Sequence, residues 1–446
     1  MPPARDGSHD AAFFERSAAC LAGRHPGQCV ILQFDTASGL NYAMPDAQTT
    51  SSDLAIVGGG IVGLATAYRF LDRHPGRSVT VFEKESQVAA HQSGHNSGVL
   101  HSGIYYRPGS YRAEFCREGK LQMQAFCELE GIPFQLIGKV IVATSEEEVP
   151  RLEGVFERGK ANGVRCSLIG PEELKEIEPH AAGVKAIHVP EAGIVDYKLV
   201  CEKLAERIAA LGGTVRTSCR VTRIDHQPDA VVLRTNQGDM TAGLVVTCGG
   251  LQADRLTALS GQTPVAPIVP FRGEYFVLKP PAEHLCRTMI YPTPDPRFPF
   301  LGVHFTRTIH GGVECGPNAV LAYSREGYSK LDVNLRDLAE SLFYPGFMKL
   351  ALRSWQTGIG ELWRSFNKKA FVRALQKLVP GITANDLIPA PSGVRAQALG
   401  RDGKLIDDFV FQESDRVINV GNAPSPAATS SLRIGQTIVE KIEARL

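Results

Sequence analysis

The stretch DLAIVGGGIVGLATAYRFLDRHPGRSVTVFE, from Asp53 to Glu83, decides the fold. An apolar strand, a glycine-rich turn, an apolar helix and a second strand follow one another, which is the order of a βαβ unit. Gly58 permits a tight turn, Gly60 lets the backbone approach a pyrophosphate, and Gly63 lets the helix pack closely on the strand. Glu83 ends the second strand, where a carboxylate binds ribose hydroxyls. The stretch therefore predicts a dinucleotide-binding domain.

The composition of the chain excludes several classes of protein. The chain has 446 residues, of which 43% are hydrophobic and 21% charged, typical of a globular protein with about two domains. Its net charge of +1 gives no basis for nucleic-acid binding. Its ten cysteines form no C-x-x-C pair and no cluster with metal-ligand spacing, so we expect no metal site and a reducing, cytoplasmic location. No apolar run is long enough to span a membrane.

Residues 1–50 precede the first strand and match no targeting signal. Acidic residues argue against a transit peptide, and no basic region precedes an apolar core as in a signal peptide. Met44 lies nine residues before Asp53. We therefore predict that residues 1–50 are an N-terminal extension. Either a disordered segment or an upstream start assignment would account for residues 1–43, with Met44 as the functional start in the second case.

A loop rich in small and polar residues follows the βαβ unit at residues 91–103, with the sequence HQSGHNSGVLHSG. Small and hydrogen-bonding residues at this point suit a loop that wraps a polar cofactor. The alternative is a polar surface loop with no ligand. The loop also opens a series of longer motifs.

These motifs extend in order from the loop to the C-terminus. They are HQSGHNSGVLHSGIYY (91–106), GIVDY (193–197), PFRGEY (270–275), RFPFLGVHFT (297–306), GPNAVLA (316–322), GVRAQALGRDGKLIDDFVF (393–411) and NAPSPAATSS (422–431). On these motifs the chain resembles the L-2-hydroxyglutarate dehydrogenase family from about residue 53 to its end. More widely, it resembles the flavoproteins that include D-amino-acid oxidase and glycerol-3-phosphate dehydrogenase.

The resemblance implies an α/β fold, in which a Rossmann-like FAD-binding domain carries an inserted, mainly antiparallel β substrate domain. On this expectation, residues 51–137, 188–262 and 380–446 form the discontinuous FAD-binding domain. Residues 138–187 and 263–379 form the substrate domain. The alternation of strands and helices in the first set, and the β-rich stretches in the second, agree with this division.

FAD is the cofactor that the resemblance implies, whereas the glycine loop alone leaves NAD open. The family pattern assigns Glu83 to the adenosine ribose, the loop after it to the pyrophosphate and flavin, and the C-terminal motif to the carbonyl edge of the flavin. The implied cofactor-binding residues are Gly58, Gly60, Ile61, Val62, Gly63, Glu83, Lys84, Ser93, His95, Asn96, Ser97, Val221, Gly249, Gly250, Pro424, Ser425, Ala427 and Thr429.

The implied reaction needs a base for a hydroxyl proton and cations for two carboxylates. His304 and His101 are the candidate catalytic bases, because imidazole titrates near neutral pH. His304 ranks ahead, although a lone histidine in an apolar strand is more often a buried structural residue. Arg272 and Arg395 are the main candidate substrate-binding residues and Arg297 is a third, because a guanidinium group binds a carboxylate with two hydrogen bonds. Structural ion pairing or solvent exposure is the alternative for Arg272 and Arg395.

The implied function is FAD-dependent oxidation of L-2-hydroxyglutarate, a small dicarboxylate hydroxy acid, to 2-oxoglutarate. A hydride passes to flavin N5, and the electrons then pass to a quinone or to oxygen. Two alternatives remain open. One is an FAD-dependent enzyme that oxidises an amino-acid C–N bond or another 2-hydroxy acid, and the other is a dinucleotide-binding sensor without turnover.

Residues 346–377 are strongly basic and contain both tryptophans of the chain, Trp355 and Trp363. One interpretation is a peripheral contact with the inner face of a membrane, with tryptophans at the interface and basic side chains on anionic headgroups. This would suit electron delivery to a membrane quinone. The other interpretation is a pair of solvated amphipathic helices packed on the substrate domain.

Overall fold

The computed structural model of the protein describes residues 51–295 and 301–446. Two predictions lie outside these ranges: the extension at residues 1–50, and Arg297 as a substrate-binding residue. The strands of the described residues, β1 to β19 in chain order, are Ser51–Val57, Val79–Phe82, Val99–Leu100, Phe134–Gln135, Lys139–Ala143, Ser167–Ile169, Lys185–Val189, Gly193–Val195, Thr214–Arg216, Val221–His226, Val231–Thr235, Met240–Thr247, Ile268–Leu278, Met289–Pro292, His304–Arg307, Val313–Leu321, Leu387–Ala398, Val410–Glu413 and Val417–Asn422. The α-helices, α1 to α11, are Ile61–Arg73, Tyr111–Glu130, Val149–Ala161, Pro171–Ile177, Tyr197–Ala210, Ala253–Leu259, Leu335–Leu342, Pro345–Arg353, Trp355–Phe366, Lys368–Leu375 and Ala427–Glu443.

The first sheet contains the predicted βαβ unit. Its main path runs β10-β11-β12-β1-β2-β9, and β19 pairs with both β12 and β18. Strand β1 pairs in parallel with β2 and with β12. Because parallel neighbours need a crossover connection, α1 carries the chain from β1 to β2. The glycine loop follows the carboxyl end of β1, where ligands bind in sheets of this kind.

The second sheet has the order β17-β13-β16-β15-β14-β5-β7-β6. Its neighbouring strands are antiparallel except for β14 and β5, which run in parallel. One face is covered by an apolar cluster that includes Phe305 of β15 and Phe371 of α10. The predicted α/β class with a second, mainly antiparallel sheet is therefore confirmed. Strand β17 belongs to this sheet, whereas the predicted boundaries give residues 380–446 to the FAD-binding domain; those boundaries stay a prediction.

Helix α11 packs against α1 and α2 at very short distance. A methyl group at Gly435 would lie 2.8 Å from the backbone carbonyl carbon of Ala65 in α1. A methyl group at Gly119 of α2 would lie 2.6 Å from the Cα atom of Ser430. The helices thus touch backbone to backbone, which glycine permits because it has no side chain. These contacts fix the first turn of α11 next to the third sheet, β3-β8-β4.

Helices α7 to α10 connect β16 to β17. Residues 346–377 lie mostly in α8, α9 and α10, and α9 packs on β16, where the Asn318 side-chain amide donates to the Glu361 backbone oxygen at 2.9 Å. Among the helices of residues 51–295 and 301–446, none has both the length and the apolar character needed to cross a bilayer.

Candidate active site

The glycine loop leaves no room for side chains. Gly58 has φ +121°, a conformation that favours glycine, and a methyl group there would collide with the carbonyl oxygen of Cys248. A methyl group at Gly63 would collide with the carbonyl oxygen of Gly58, and one at Gly60 would lie 3.2 Å from Ser93 Oγ. The tight turn and the close packing of helix on strand, which the sequence predicts, are therefore both present.

The Glu83 carboxylate lies at the end of β2 and is held by two backbone donors. Gly59 N donates to Oε2 at 2.8 Å, and Glu85 N donates to Oε1 at 2.8 Å. The side chain is largely buried. Since each carboxylate oxygen has a second lone pair, Glu83 can still accept a hydrogen bond from a ribose hydroxyl.

A cavity of about 1320 Å³ lies between the glycine loop and the second sheet. All the candidate cofactor-binding residues line this cavity except Gly63, which packs inside the first turn of α1. The N-termini of α1 and α11 both reach the cavity wall. Ser93 Oγ accepts from Ile61 N of α1 at 2.9 Å, and α11 has no side-chain cap. Helix N-termini carry partial positive charge and free N–H groups, so they suit the phosphates and the carbonyl edge of a dinucleotide cofactor.

Thr429 joins the first turn of α11 to the loop after β2. Its Oγ1 atom accepts from the His101 backbone N at 3.2 Å and lies 2.7 Å from the Tyr197 hydroxyl. The same Oγ1 atom lies 3.2 Å from the Val99 carbonyl oxygen. Residues from three distant parts of the chain are thus fixed around one hydroxyl group on the cavity wall.

Both candidate bases, His304 and His101, line the cavity in neutral form. Burial lowers the pKa of His304 to about 3, and the charges of Arg395 and Lys139 act in the same direction. Burial also lowers the pKa of His101 to about 3, followed in size by the charge of Lys139. His304 Nδ1 lies 2.9 Å from the Gly302 carbonyl oxygen, which only an N–H at Nδ1 can satisfy. Nε2 of His304 is therefore the atom that can accept a proton.

The two main candidate arginines project from opposite faces of the second sheet. In the antiparallel pair of β13 and β17, Arg395 faces Phe271 and Arg272 faces Val394. Directly opposed residues of two strands point to the same face of the sheet, and successive residues along one strand point to opposite faces. The two guanidinium groups therefore lie on opposite faces. Arg395 lines the cavity and interacts with the Tyr275 hydroxyl, which also lines it.

Arg272 is not brought to the cavity. Its guanidinium group pairs with Glu274 at 2.9 Å and donates to the Ser329 backbone oxygen at 2.9 Å. Only 3% of the residue is exposed. These contacts are those of a structural ion pair, the alternative that the sequence left open. Its role in substrate binding stays a prediction without support from its position.

A loop from the second sheet crosses to the cofactor side of the cavity at Glu326 and Tyr328. The Glu326 carboxylate pairs with Lys84 at 2.9 Å, and Lys84 Nζ lies 3.0 Å from His91 Nε2. The Tyr328 hydroxyl lies 3.0 Å from His91 Nδ1, and its ring stacks on His95 with centroids 4.2 Å apart. Lys84, predicted to bind the cofactor, thus lines the cavity with its ammonium group already ion-paired.

Five tyrosines and five arginines on the cavity wall were missed by the sequence reasoning. The Tyr291 ring stacks on His304 with centroids 4.0 Å apart, and the Arg112 guanidinium group lies 4.5 Å from the centre of another tyrosine ring. Four of the tyrosines fall inside the motifs quoted above, so their positions could have been a signal. The full set is Tyr105, Tyr106, Tyr197, Tyr275, Tyr291, Arg112, Arg151, Arg158, Arg220 and Arg255.

The model of the FAD-dependent oxidoreductase (DAO) family matches residues 53–441. A relative named L-2-hydroxyglutarate dehydrogenase from Indibacter alkaliphilus is 53% identical over 387 residues, 86% of this chain and 97% of the relative. The mitochondrial L-2-hydroxyglutarate dehydrogenase of Homo sapiens is 43% identical over 452 residues, with 96% of both chains covered.

Solved structures share the fold at low sequence identity. An L-α-glycerophosphate oxidase from Mycoplasma pneumoniae with FAD bound aligns with a TM-score of 0.73 at 23% identity, over 88% of this chain and 95% of that one. Glycine oxidase from Geobacillus kaustophilus aligns with a TM-score of 0.68 at 20% identity, over 89% and 96%. The predicted fold class and FAD as the cofactor are confirmed. The chain belongs to the FAD-dependent oxidoreductase family, within which it resembles the L-2-hydroxyglutarate dehydrogenases.

Proposed function

We propose that this protein oxidises L-2-hydroxyglutarate to 2-oxoglutarate with FAD as the hydride acceptor. One observation carries the proposal: two neutral imidazoles, His304 and His101, share a cavity with Arg395 and with the predicted cofactor-binding residues. The relatives named L-2-hydroxyglutarate dehydrogenase, at 43% and 53% identity, supply the substrate.

Residues at the two ends of the cavity would bind different parts of FAD. Glu83 and the N-terminus of α1 would hold the adenosine ribose and the phosphates, and the N-terminus of α11 would bind the flavin carbonyl edge. When bound, FAD takes up the hydride from C2 of the substrate at N5. The glycine cradle at Gly58 and Gly60 fits this cofactor, because side chains there would fill the space that the pyrophosphate needs.

His304 takes the proton from the C2 hydroxyl at Nε2. Its Nδ1 atom is committed to the Gly302 carbonyl oxygen, and the stacked Tyr291 ring fixes the plane of the imidazole. Burial keeps the ring neutral throughout the physiological pH range, so Nε2 has no proton before the substrate binds. The negative charge of the bound substrate would raise the pKa of the ring and so strengthen it as a base. Arg395 binds one substrate carboxylate through its guanidinium group.

An anaerobic absorbance titration of the purified holoenzyme tests this function. Addition of L-2-hydroxyglutarate should bleach the flavin band at roughly 450 nm, whereas the D-enantiomer should not. Bleaching by small amino acids alone would replace the proposal with oxidation of a C–N bond. A flavin that no candidate substrate reduces would favour a sensor without turnover.

Electrons leave the reduced enzyme for a quinone or for oxygen, and one surface favours the membrane-bound acceptor. Twelve of the twenty exposed large apolar side chains in the described residues lie within 331–366. Phe343 is 80% exposed and Trp363 is 62% exposed. Basic side chains lie with them on α8 and α9 and continue on the next helix, α10, so the surface is complementary to an anionic bilayer. The basic residues are Lys349, Arg353, Arg364, Lys368, Lys369 and Arg373.

Co-sedimentation with vesicles tests the membrane contact. The holoenzyme should bind vesicles that contain anionic phosphatidylglycerol, and less so as salt rises, because exposed charges are screened. Joint replacement of Trp355 and Trp363 by Ser should weaken binding, whereas Leu121→Ser should not, since Leu121 is 61% exposed on α2, away from this segment. Equal binding by all three proteins, or none at low salt, would remove the proposal.

A further inference from the structure

Lys139 is a buried cation directly behind the wall of the cavity. It is the first residue of β5 and is only 1% exposed. Its Nζ atom lies 4.7 Å from the centre of the Tyr105 ring and 4.9 Å from the centre of the Tyr291 ring. Both tyrosines line the cavity, and Tyr291 also stacks on His304. One aromatic ring therefore separates the ammonium group from the space that the substrate would occupy.

No ion pair within residues 51–295 and 301–446 neutralises this charge. The titratable groups closest to Lys139 are themselves uncharged near pH 7. Burial raises the pKa of Cys116 to about 12 and raises the pKa values of Tyr105 and Tyr291. Burial lowers the pKa values of the two cavity histidines to about 3. Arg395, whose charge acts on both histidines, is also positive.

A second buried lysine, in contrast, has a carboxylate partner. Lys120 of α2 is 3% exposed, and its Nζ atom pairs with the Glu191 carboxylate at 3.2 Å. A buried charge without a partner is costly, so it is retained where something else in the site compensates it. The two tyrosine faces offer only part of that compensation. An anionic ligand in the cavity would offer the rest.

We propose that Lys139 is a specificity-determining residue, whose uncompensated charge makes the cavity select doubly charged carboxylate ligands over singly charged ones. The inference rests on the proposed function, in which the substrate is a dicarboxylate. Arg395 binds one carboxylate directly, and Arg272 is turned away from the cavity. Lys139 supplies the second positive charge through the field across the tyrosine rings.

The expected size of the effect follows from Coulomb's law. At roughly 8 Å and an effective dielectric constant of about 20, one positive charge changes the affinity for each anionic charge by about tenfold or more. The charge itself depends on pH, because burial lowers the pKa of Lys139 to about 8. Glu314, the acid that acts on Tyr291, has a pKa raised by burial to about 7, so its ionisation overlaps only the start of the titration of Lys139.

Binding of ligands that cannot be oxidised tests the inference without turnover. Glutarate has two carboxylates and butanoate has one, and neither has a hydroxyl group at C2. Their dissociation constants for the holoenzyme are measured by calorimetry and by the change in the flavin spectrum. The variants are Lys139→Met, Lys139→Arg and the matched control Lys185→Met, which removes a lysine from the adjacent strand β7.

We expect Lys139→Met to weaken the binding of glutarate roughly tenfold more than the binding of butanoate. Lys185→Met should change the affinity for neither ligand. In the wild type the preference for glutarate should fall between about pH 7.5 and 9.5, whereas Lys139→Arg should keep it. An equal loss of affinity for both ligands in Lys139→Met would overturn the inference and make Lys139 a structural residue. If Lys139→Met does not fold, a wild-type preference that stays constant over this pH range overturns it. A wild type that binds neither ligand would instead count against the proposed function.

Discussion

Glu83 offers the sharpest test of the cofactor site, because two backbone donors share its carboxylate. Oε2 accepts from Gly59 N and Oε1 from Glu85 N, both at 2.8 Å. Replacing Glu83 by Gln leaves one oxygen for two donors and turns an NH₂ group toward the other N–H. A charge-assisted hydrogen bond contributes about 1.5–3 kcal/mol, and a buried donor left unsatisfied costs about 1–3 kcal/mol. We expect a total loss of about 3 kcal/mol of free energy, divided between the stability of the apoprotein and the binding of FAD.

Fluorescence titration of the apoprotein with FAD measures the loss of FAD affinity. Urea unfolding of the apoprotein measures the loss of stability. The dissociation constant for FAD should rise by about tenfold or more in Glu83→Gln. The matched control is Glu85→Gln, which removes the same charge from the same turn, where the side chain is 36% exposed. Its effect should be small, because exposed ion pairs contribute little. A Glu83→Gln protein that retains both wild-type affinity for FAD and wild-type stability would refute the reasoning.

Three further predictions concern the base, a buried acid and a helix contact. His304→Gln should lower kcat by about 10²–10⁴-fold while the flavin spectrum is retained, as stopped-flow reduction by the substrate would measure. The pKa of Glu314 is raised by burial from its usual 4.5 to about 7. A folded-state pKa above the unfolded one means that stability falls as pH rises through this interval. Glu314→Gln should therefore have a higher Tm than the wild type near pH 8 but not below about pH 4.5, as thermal scans at both pH values would show. Gly435→Ala should lower the free energy of unfolding by about 1–3 kcal/mol in urea, whereas Gly154→Ala, in open space on α3, should not lower it.

The parts of the site that the sequence predicted are those encoded over short distances. Gly58 and Gly63 act within one turn, and Glu83 follows at the end of the next strand, so local patterns were sufficient. The order of strands and helices likewise predicted the parallel neighbours of β1. The catalytic candidates came instead from the resemblance, because a histidine in an apolar strand has no local pattern that distinguishes a base from a core residue.

The parts that the sequence did not predict depend on pairing between distant strands. Arg272 and Arg395 are separated by more than a hundred residues, and the register of β13 with β17 decides which of them faces the cavity. A shift of β17 by one residue would bring both guanidinium groups to the same face. Lys139 precedes four apolar residues, which in sequence resembles a strand that starts in solvent. Its burial follows from the strands and the tyrosines packed around it, none of which is its neighbour in the chain.

A buried, unpaired cation satisfies two requirements of the proposed reaction at once. The substrate carries two negative charges, so a positive potential favours its binding. The base must be neutral, and the same potential opposes protonation of His304 and His101. A lysine that reached into the cavity would compete with Arg395 for one carboxylate and would bring its own water. Behind Tyr105 and Tyr291, Lys139 contributes its field and leaves the space free, so the same charge favours a dicarboxylate and adds to the larger effect of burial in keeping the base neutral.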